Sequence, residues 1–201
     1  AYNTHYLGFN ANMLANEMFL DSSSLRSSVV SHAKTLGYVP TSARASKATV
    51  DVTLNTNDTS ATMPAGTVFN TTVDDVSYQF STISDVTKSN TGNTIPFVGV
   101  DIYEGSFITT RYTVDSSDVD QRFIITDNRA DTTTLTVKVQ TSSTDSSSNT
   151  FTEATDITQV TTGSNVYFLQ EVEAGLFEVY FGDGIIGTAL SDDNIVILTY
   201  V

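Results

Sequence analysis
The sequence predicts an α+β chain: a short amino-terminal helical arm of two helices, followed by a mainly antiparallel β-body. Three observations carry that prediction. Apolar residues recur at helical spacing only before Pro40, the period changes to two after it, and threonine is unusually abundant. The 201 residues include 33 Thr and 23 Ser, with only 16% charged. Threonine is β-branched and packs well on the solvated face of a strand, so this excess fits sheets with one polar face. The expected organisation is an arm over residues 1–45 and a β domain over 46–201, with an inserted β subdomain around 95–165.

In the arm, Ala11, Met13, Leu14, Ala15, Met18 and Phe19 recur at helical spacing, and Met13, Leu14 and Ala15 are good helix formers without β-branching. This predicts a first short helix over Asn10–Phe19. Asp21 or one of Ser22, Ser23 and Ser24 is then expected to cap a second helix, with Leu25, Val29, Ala33 and Leu36 as its apolar stripe. Gly37 stops that helix and Pro40 cannot continue it.

Beyond Pro40, Ala48, Val50, Val52 and Leu54 alternate with polar residues, which reads as a strand with one buried face. Turns follow at 55–61 and 63–67, a strand at 78–83 and a break at Asn90-Thr91-Gly92-Asn93. Residues 95–103 are apolar enough for a well-buried strand, which Glu104-Gly105-Ser106 turns so that 107–114 returns. Residues 115–120 form a polar loop, and 122–125 and 134–139 are further strands. The run 141–150 is almost wholly Ser, Thr, Asp and Asn and reads as a mobile loop or a long hairpin tip. Residues 167–172 and 177–181 pair through Glu173-Ala174-Gly175. A meander then ends the chain, in which Gly182-Asp183-Gly184 makes a tight hairpin turn before the β-rich run 194–201. Glycine reaches positive φ without a Cβ clash there, and aspartate bonds its own backbone two residues on.

Composition excludes several classes of function. No stretch of about 18 uncharged apolar residues offers a membrane span, and the first residues do not have the basic-then-apolar pattern of a signal peptide. The absence of cysteine removes disulfides and thiolate metal sites. The formal charge is −14, with +2 over residues 1–47 and −16 over the remainder. Such a body repels phosphate, so neither nucleic acid nor membrane is expected as a partner. The missing initiator methionine and the final strand suggest a fragment of a longer polypeptide.

No constellation of catalytic residues emerges. His5 and His32 are the only histidines, and no nucleophile elbow, phosphate loop, dinucleotide fingerprint or zinc helix is present. Asp115, Asp118 and Asp120 lack the glycine and the bidentate glutamate of a calcium loop, so no metal or cofactor is expected. Paired carboxylates of the glycosidase type remain open on composition alone, although the chain has no tryptophan for a sugar platform. The candidate surface is the arm. Tyr6, Leu7, Phe9, Met13, Leu14, Met18 and Phe19 carry more apolar area than a short segment hides by itself, and such a patch either marks a partner contact or docks on the β-body.

The run Phe177-Glu178-Val179-Tyr180-Phe181-Gly182-Asp183-Gly184-Ile185-Ile186-Gly187, then Asp192-Asp193-Asn194-Ile195-Val196 and Tyr200, resembles the baseplate J-like proteins of contractile phage tails. Residues 12–21 and 25–40 are similar to the baseplate wedge proteins of T-even-like phages, and 64–69, 122–125 and 134–137 fit that family's central β-region. The resemblance implies a non-enzymatic structural subunit of the baseplate wedge. Such a subunit would pair with other wedge proteins and with itself as a homo-oligomer, and would rearrange when the sheath contracts. It implies a place in the virion tail after assembly in the host cytoplasm, and a missing carboxy-terminal dimer-forming portion. A carbohydrate-binding or host-surface-recognition β-module of a phage tail is the alternative that polar, threonine-rich loops would suit.

Overall fold
Serine hydroxyls set the first boundary of the fold. In the computed structural model, which describes residues 2–38, 40–172 and 175–201, α1 runs from Tyr2 to Glu17. Ser22 Oγ donates to Asn16 O (2.6 Å), and Ser23 Oγ donates to Glu17 O and Phe19 O. Carbonyls of the last helical turn, which have no partner within the helix, are thereby satisfied. The helix starts eight residues before the expected Asn10 and stops two before Phe19. Gly8 sits inside it, a cost of about 1 kcal/mol relative to alanine that does not break it.

α2 spans Arg26–Thr35 and ends as expected at Gly37. Gly37 takes φ 80°, its N–H reaches Lys34 O, and the Tyr38 N–H reaches Ala33 O at 3.0 Å. These are the paired bonds of a Schellman terminus. The expected stripe is displaced: Val30 is the buried residue, Val29 and Ala33 are half-buried, and Leu25 and Leu36 are exposed. The cap also differs, because neither Asp21 nor a serine provides it.

The first β-region contains β1 (Lys47–Asn55), β2 (Ser60–Met63), β3 (Val68–Val73), β4 (Val76–Ser81), β5 (Val86–Ser89) and β6 (Thr94–Glu104). β1, β6, β4 and β3 form one antiparallel sheet in that order, and β2 pairs with β5. Ile95, Phe97, Val100 and Ile102 of β6 and Met63 form the core, with Ala48, Val50 and Val52 of β1 against them. Phe97 and Val100 are three apart yet both buried, because a bulge shifts the register between Val50 and Val52. Gly99, at φ 70°, donates its N–H to Asp51 Oδ1 at 2.7 Å within that bulge.

The second region contains β7 (Ile108–Thr113), β8 (Phe123–Ile125), β9 (Thr136–Gln140), β10 (Ser148–Glu153), β11 (Val166–Glu171), β12 (Phe177–Phe181) and β13 (Ile195–Tyr200). They form one sheet in the order β7, β13, β9, β10, β11, β12, β8, antiparallel except between β10 and β11. Its two edge strands face each other. Tyr112 of β7 and Phe123 of β8 meet edge to face at 5.7 Å, and Tyr112 Oη donates to Ile124 O at 2.5 Å. The sheet is therefore rolled into an incomplete barrel around Val137, Ile125, Val196, Leu198 and Tyr200, each at most 1% exposed.

Three strand connections depart from expectation. Residues 107–114 do not return along 95–103: β6 pairs with β1 and β4, whereas β7 pairs with β13 in the other sheet. Gly105, at φ 132°, lets the chain cross over tightly against Val201, whose Cγ1 would lie 2.7 Å from an added Cβ. The polar run 141–150 is only partly a hairpin tip, because β10 begins at Ser148 and pairs with β9. Finally, β12 and β13 are not hairpin neighbours, since β9, β10 and β11 lie between them. The pairing of β11 with β12 is as expected, while Glu173 and Ala174 of the turn expected between them lie outside the described residues.

Candidate functional site
Of the two helices of the arm, α1 is the exposed one. No residue of α1 is buried, and only Asn10 and Glu17 are even half-buried. Tyr6, Leu7, Phe9, Met13 and Leu14 are all exposed on α1, and Met18 and Phe19 are exposed in the corner that follows. Tyr6, Phe9 and Met13 share one face at helical spacing, and Tyr2, 83% exposed, extends that line by a turn. Leu7 and Leu14, seven residues apart, form a second line beside it. Tyr2 was readable as the same helical spacing extended one turn toward the amino terminus, whereas Leu20 is exposed in the corner beyond the end of α1, where helical spacing gives no signal.

The corner between the helices is held by one carboxylate. Glu17 accepts from Ser24 N (3.0 Å), Ser24 Oγ (2.8 Å) and Leu25 N, so the last residue of α1 serves the start of α2. These bonds, led by the Ser24 N–H, lower its pKa to about 2. His32 Nε2 donates to Glu17 O at 2.9 Å, which returns a contact from α2 to α1. His32 is thus a half-buried packing residue of the corner.

α2 is in turn clamped to the rolled sheet. Arg26 grips the Glu171 carboxylate with Nε and Nη2, and Lys34 Nζ donates to Glu171 O at 2.5 Å. Glu171 is 2% exposed, at the end of β11. Gly175 beside this pair takes φ 82°, which L side chains rarely adopt, while an alanine Cβ there would make only ordinary contact with Arg26 Nε at 3.5 Å. The linker after α2 is also pinned: buried Asp131 accepts from Ala45 N at 2.9 Å and from Thr133 N and Oγ1.

The remaining buried acid among the described residues is similarly occupied. Glu178 of β12 is bound by Arg122 and by Tyr180 Oη, and the guanidinium holds its carboxyl below the usual range. The two most buried glutamates therefore each face an arginine rather than each other, and neither is placed as half of an acid and base pair. Asp115 Oδ1 accepts from Ser117 N and Oγ, and Asp118 Oδ1 accepts from Asp120 N, so these two acids shape their own loop. Among the described residues no group of three or more His, Cys, Asp or Glu is placed to hold a metal ion, and no helix is long and apolar enough to cross a membrane.

Gly182-Asp183-Gly184 forms a folded loop rather than a two-residue hairpin. Asp183 Oδ1 accepts from Ile185 N and Ile186 N, both at 2.9 Å, and the Ile186 N–H is the first cause of its lowered pKa. Gly184 takes φ 87°, but Gly182 does not take positive φ. Its requirement is space: an added Cβ would sit 2.2 Å from Ile186 O.

No protein-family model matches the chain. It is similar to baseplate wedge protein gp6 of Enterobacteria phage T4. The two are 29% identical over 199 residues, which cover 96% of this chain. The chain spans 29% of the length of that wedge protein.

Proposed function
We propose that the chain is a structural piece of a phage baseplate wedge. The observation that carries this reading is the similarity to a wedge protein along nearly the whole chain, and the geometry of the arm supports it. A helix with no buried residue, braced at its corner against a second helix that an ion pair to a buried glutamate holds on the sheet, suits a contact element better than a substrate site. On this reading Tyr6, Leu7, Phe9, Met13, Leu14, Met18 and Phe19 bind other wedge proteins or a second copy. The β-body holds geometry while the ring rearranges on sheath contraction, and no substrate turns over. The protein is then assembled in the host cytoplasm and resides in the virion tail.

Purified tails, probed by mass spectrometry and by imaging of a labelled chain, test this. The chain should appear at the baseplate, and Phe9→Ser with Leu14→Ser should remove it from particles while its β-sheet circular dichroism is kept. Absence of the wild-type chain from intact particles, particularly with specific binding on a glycan array, would overturn the proposal.

A further inference from the structure
We infer that the ribbon formed by β3 and β4 is a second docking surface, and that its occupant is a cationic protein face. The ribbon is fastened only at its root. β4 meets β6 through Phe80↔Glu104 and Ser81↔Tyr103, and Gly105 N donates to Gln79 O. From Tyr78 outward, β3 and β4 pair with each other alone. A two-stranded ribbon is marginal by itself, so its projecting part is stabilised by what it meets.

Its chemistry says what that is. Directly opposed residues share a face, so Phe69 and Phe80, Thr71 and Tyr78, and Val73 and Val76 form one strip. Phe69 and Phe80 pack on the core of the first sheet, whereas Val73 and Val76 are 54% and 51% exposed. The apolar face of the core thus continues past its edge into solvent. The tip is Asp74-Asp75, at φ 49° and 62°, where a turn of this kind favours Asn-Gly. The only charged side chains on β3, β4 and their turn are Asp74 and Asp75, and the nearest lysines along the chain, Lys47 on β1 and Lys88 on β5, belong to other strands, so the ribbon itself carries one sign. A second ribbon would repel it, and α1 offers no lysine or arginine to receive it. A basic face with an apolar recess on a different protein fits both features.

This inference rests on the baseplate reading, which supplies the neighbour as another wedge component. Its test is wedge assembly with the full chain carrying Asp74→Asn with Asp75→Gly, which suits the turn while removing both charges, or Val73→Thr with Val76→Thr. Each pair should lower incorporation by about tenfold with the thermal midpoint of the free chain kept. Amide exchange of residues 70–79 should slow on assembly, and added salt should weaken incorporation of the wild-type chain more than that of the Asn-Gly variant. Equal incorporation of both variants, with ribbon amides exchanging as fast in assembled wedges as in the free chain, overturns the inference alone. Failure of the wild-type chain to incorporate overturns the baseplate reading and this inference with it.

Discussion
Arg26 and Glu171 form a two-point ion pair across 145 residues of chain, with Nε to Oε1 at 2.8 Å and Nη2 to Oε2 at 3.0 Å. The glutamate is buried, whereas the arginine side chain is 58% exposed. Arg26→Ala should strand a buried carboxylate and cost about 2 kcal/mol, less than a fully buried pair would because solvent reaches the guanidinium. Arg26→Met combined with Glu171→Met should recover most of that loss, since no uncompensated charge remains. Urea denaturation of the single and double variants measures both. The consequence for the arm is loss of its anchor, so Arg26→Ala should also speed proteolysis between α2 and β1.

The corner at Glu17 should be sensitive to acid. Its pKa is lowered from 4.5 to about 2 by bonds from Ser24, Ser28 and Leu25, led by the Ser24 N–H, so the folded form binds the proton more weakly than the unfolded form. The contribution is therefore fully present above about pH 4.5 and is lost as the pH falls through about 2. Far-ultraviolet circular dichroism should show helix loss in that window. Glu17→Gln, which removes the charge at every pH, should show reduced helix at neutral pH and lose the window.

Closure of the rolled sheet depends on one hydroxyl. Tyr112 Oη donates to Ile124 O at 2.5 Å, and the ring continues an edge-to-face series through Phe123, Phe181 and Phe151. Tyr112→Phe keeps the ring series and removes the bond between the two edge strands. A loss of about 1 to 2 kcal/mol is expected, because the Ile124 carbonyl loses its partner in a half-buried place. Faster amide exchange confined to β7 and β8 would separate this opening from general destabilisation.

Local signals in the sequence located elements better than they located helix starts, caps or stripes. The alternation of Ala48, Val50 and Val52 marks the half-buried inner face of β1, although Leu54, expected on that face, is exposed, and Gly37 marks the end of α2, because period and backbone freedom act within a few residues. Strand partners are a different matter. Residues 95–103 and 107–114 have the pattern of a hairpin, yet the core of each sheet claims one of them, and nothing in a period of two names the neighbour. The apolar density of the arm was readable, but its exposure was not, because the same side chains could equally have docked on the β-body. Glu17 was not readable either, because capping by a residue seven positions upstream follows no local spacing. The ribbon tip was also hidden, since Asp74-Asp75 lacks the glycine that announces such a turn.

Gly182 and Gly184 should respond differently to alanine although they flank the same aspartate. At Gly184 the obstacle is conformational: φ is 87°, and the nearest atom to an added Cβ is the Ala189 Cβ at 3.6 Å, an ordinary contact. Gly184→Ala should therefore cost about 1 kcal/mol, the usual penalty for a left-handed alanine. At Gly182 the obstacle is backbone: an added Cβ would lie 2.2 Å from Ile186 O and 2.5 Å from Gly187 C, which no side-chain rotation relieves. Gly182→Ala must move the loop off β12, breaking the bridge from Gly182 to Ala189 and the Asp183 bonds to Ile185 and Ile186. The expected loss is about 2 to 3 kcal/mol, and the Asp183 carboxyl should return toward its ordinary pKa as its donors leave. Chemical denaturation ranks the two variants, and carboxyl titration by nuclear magnetic resonance distinguishes a displaced loop from a merely strained one. Equal losses at the two positions would mean that the loop yields as a unit and that the close approach at Gly182 does not hold it.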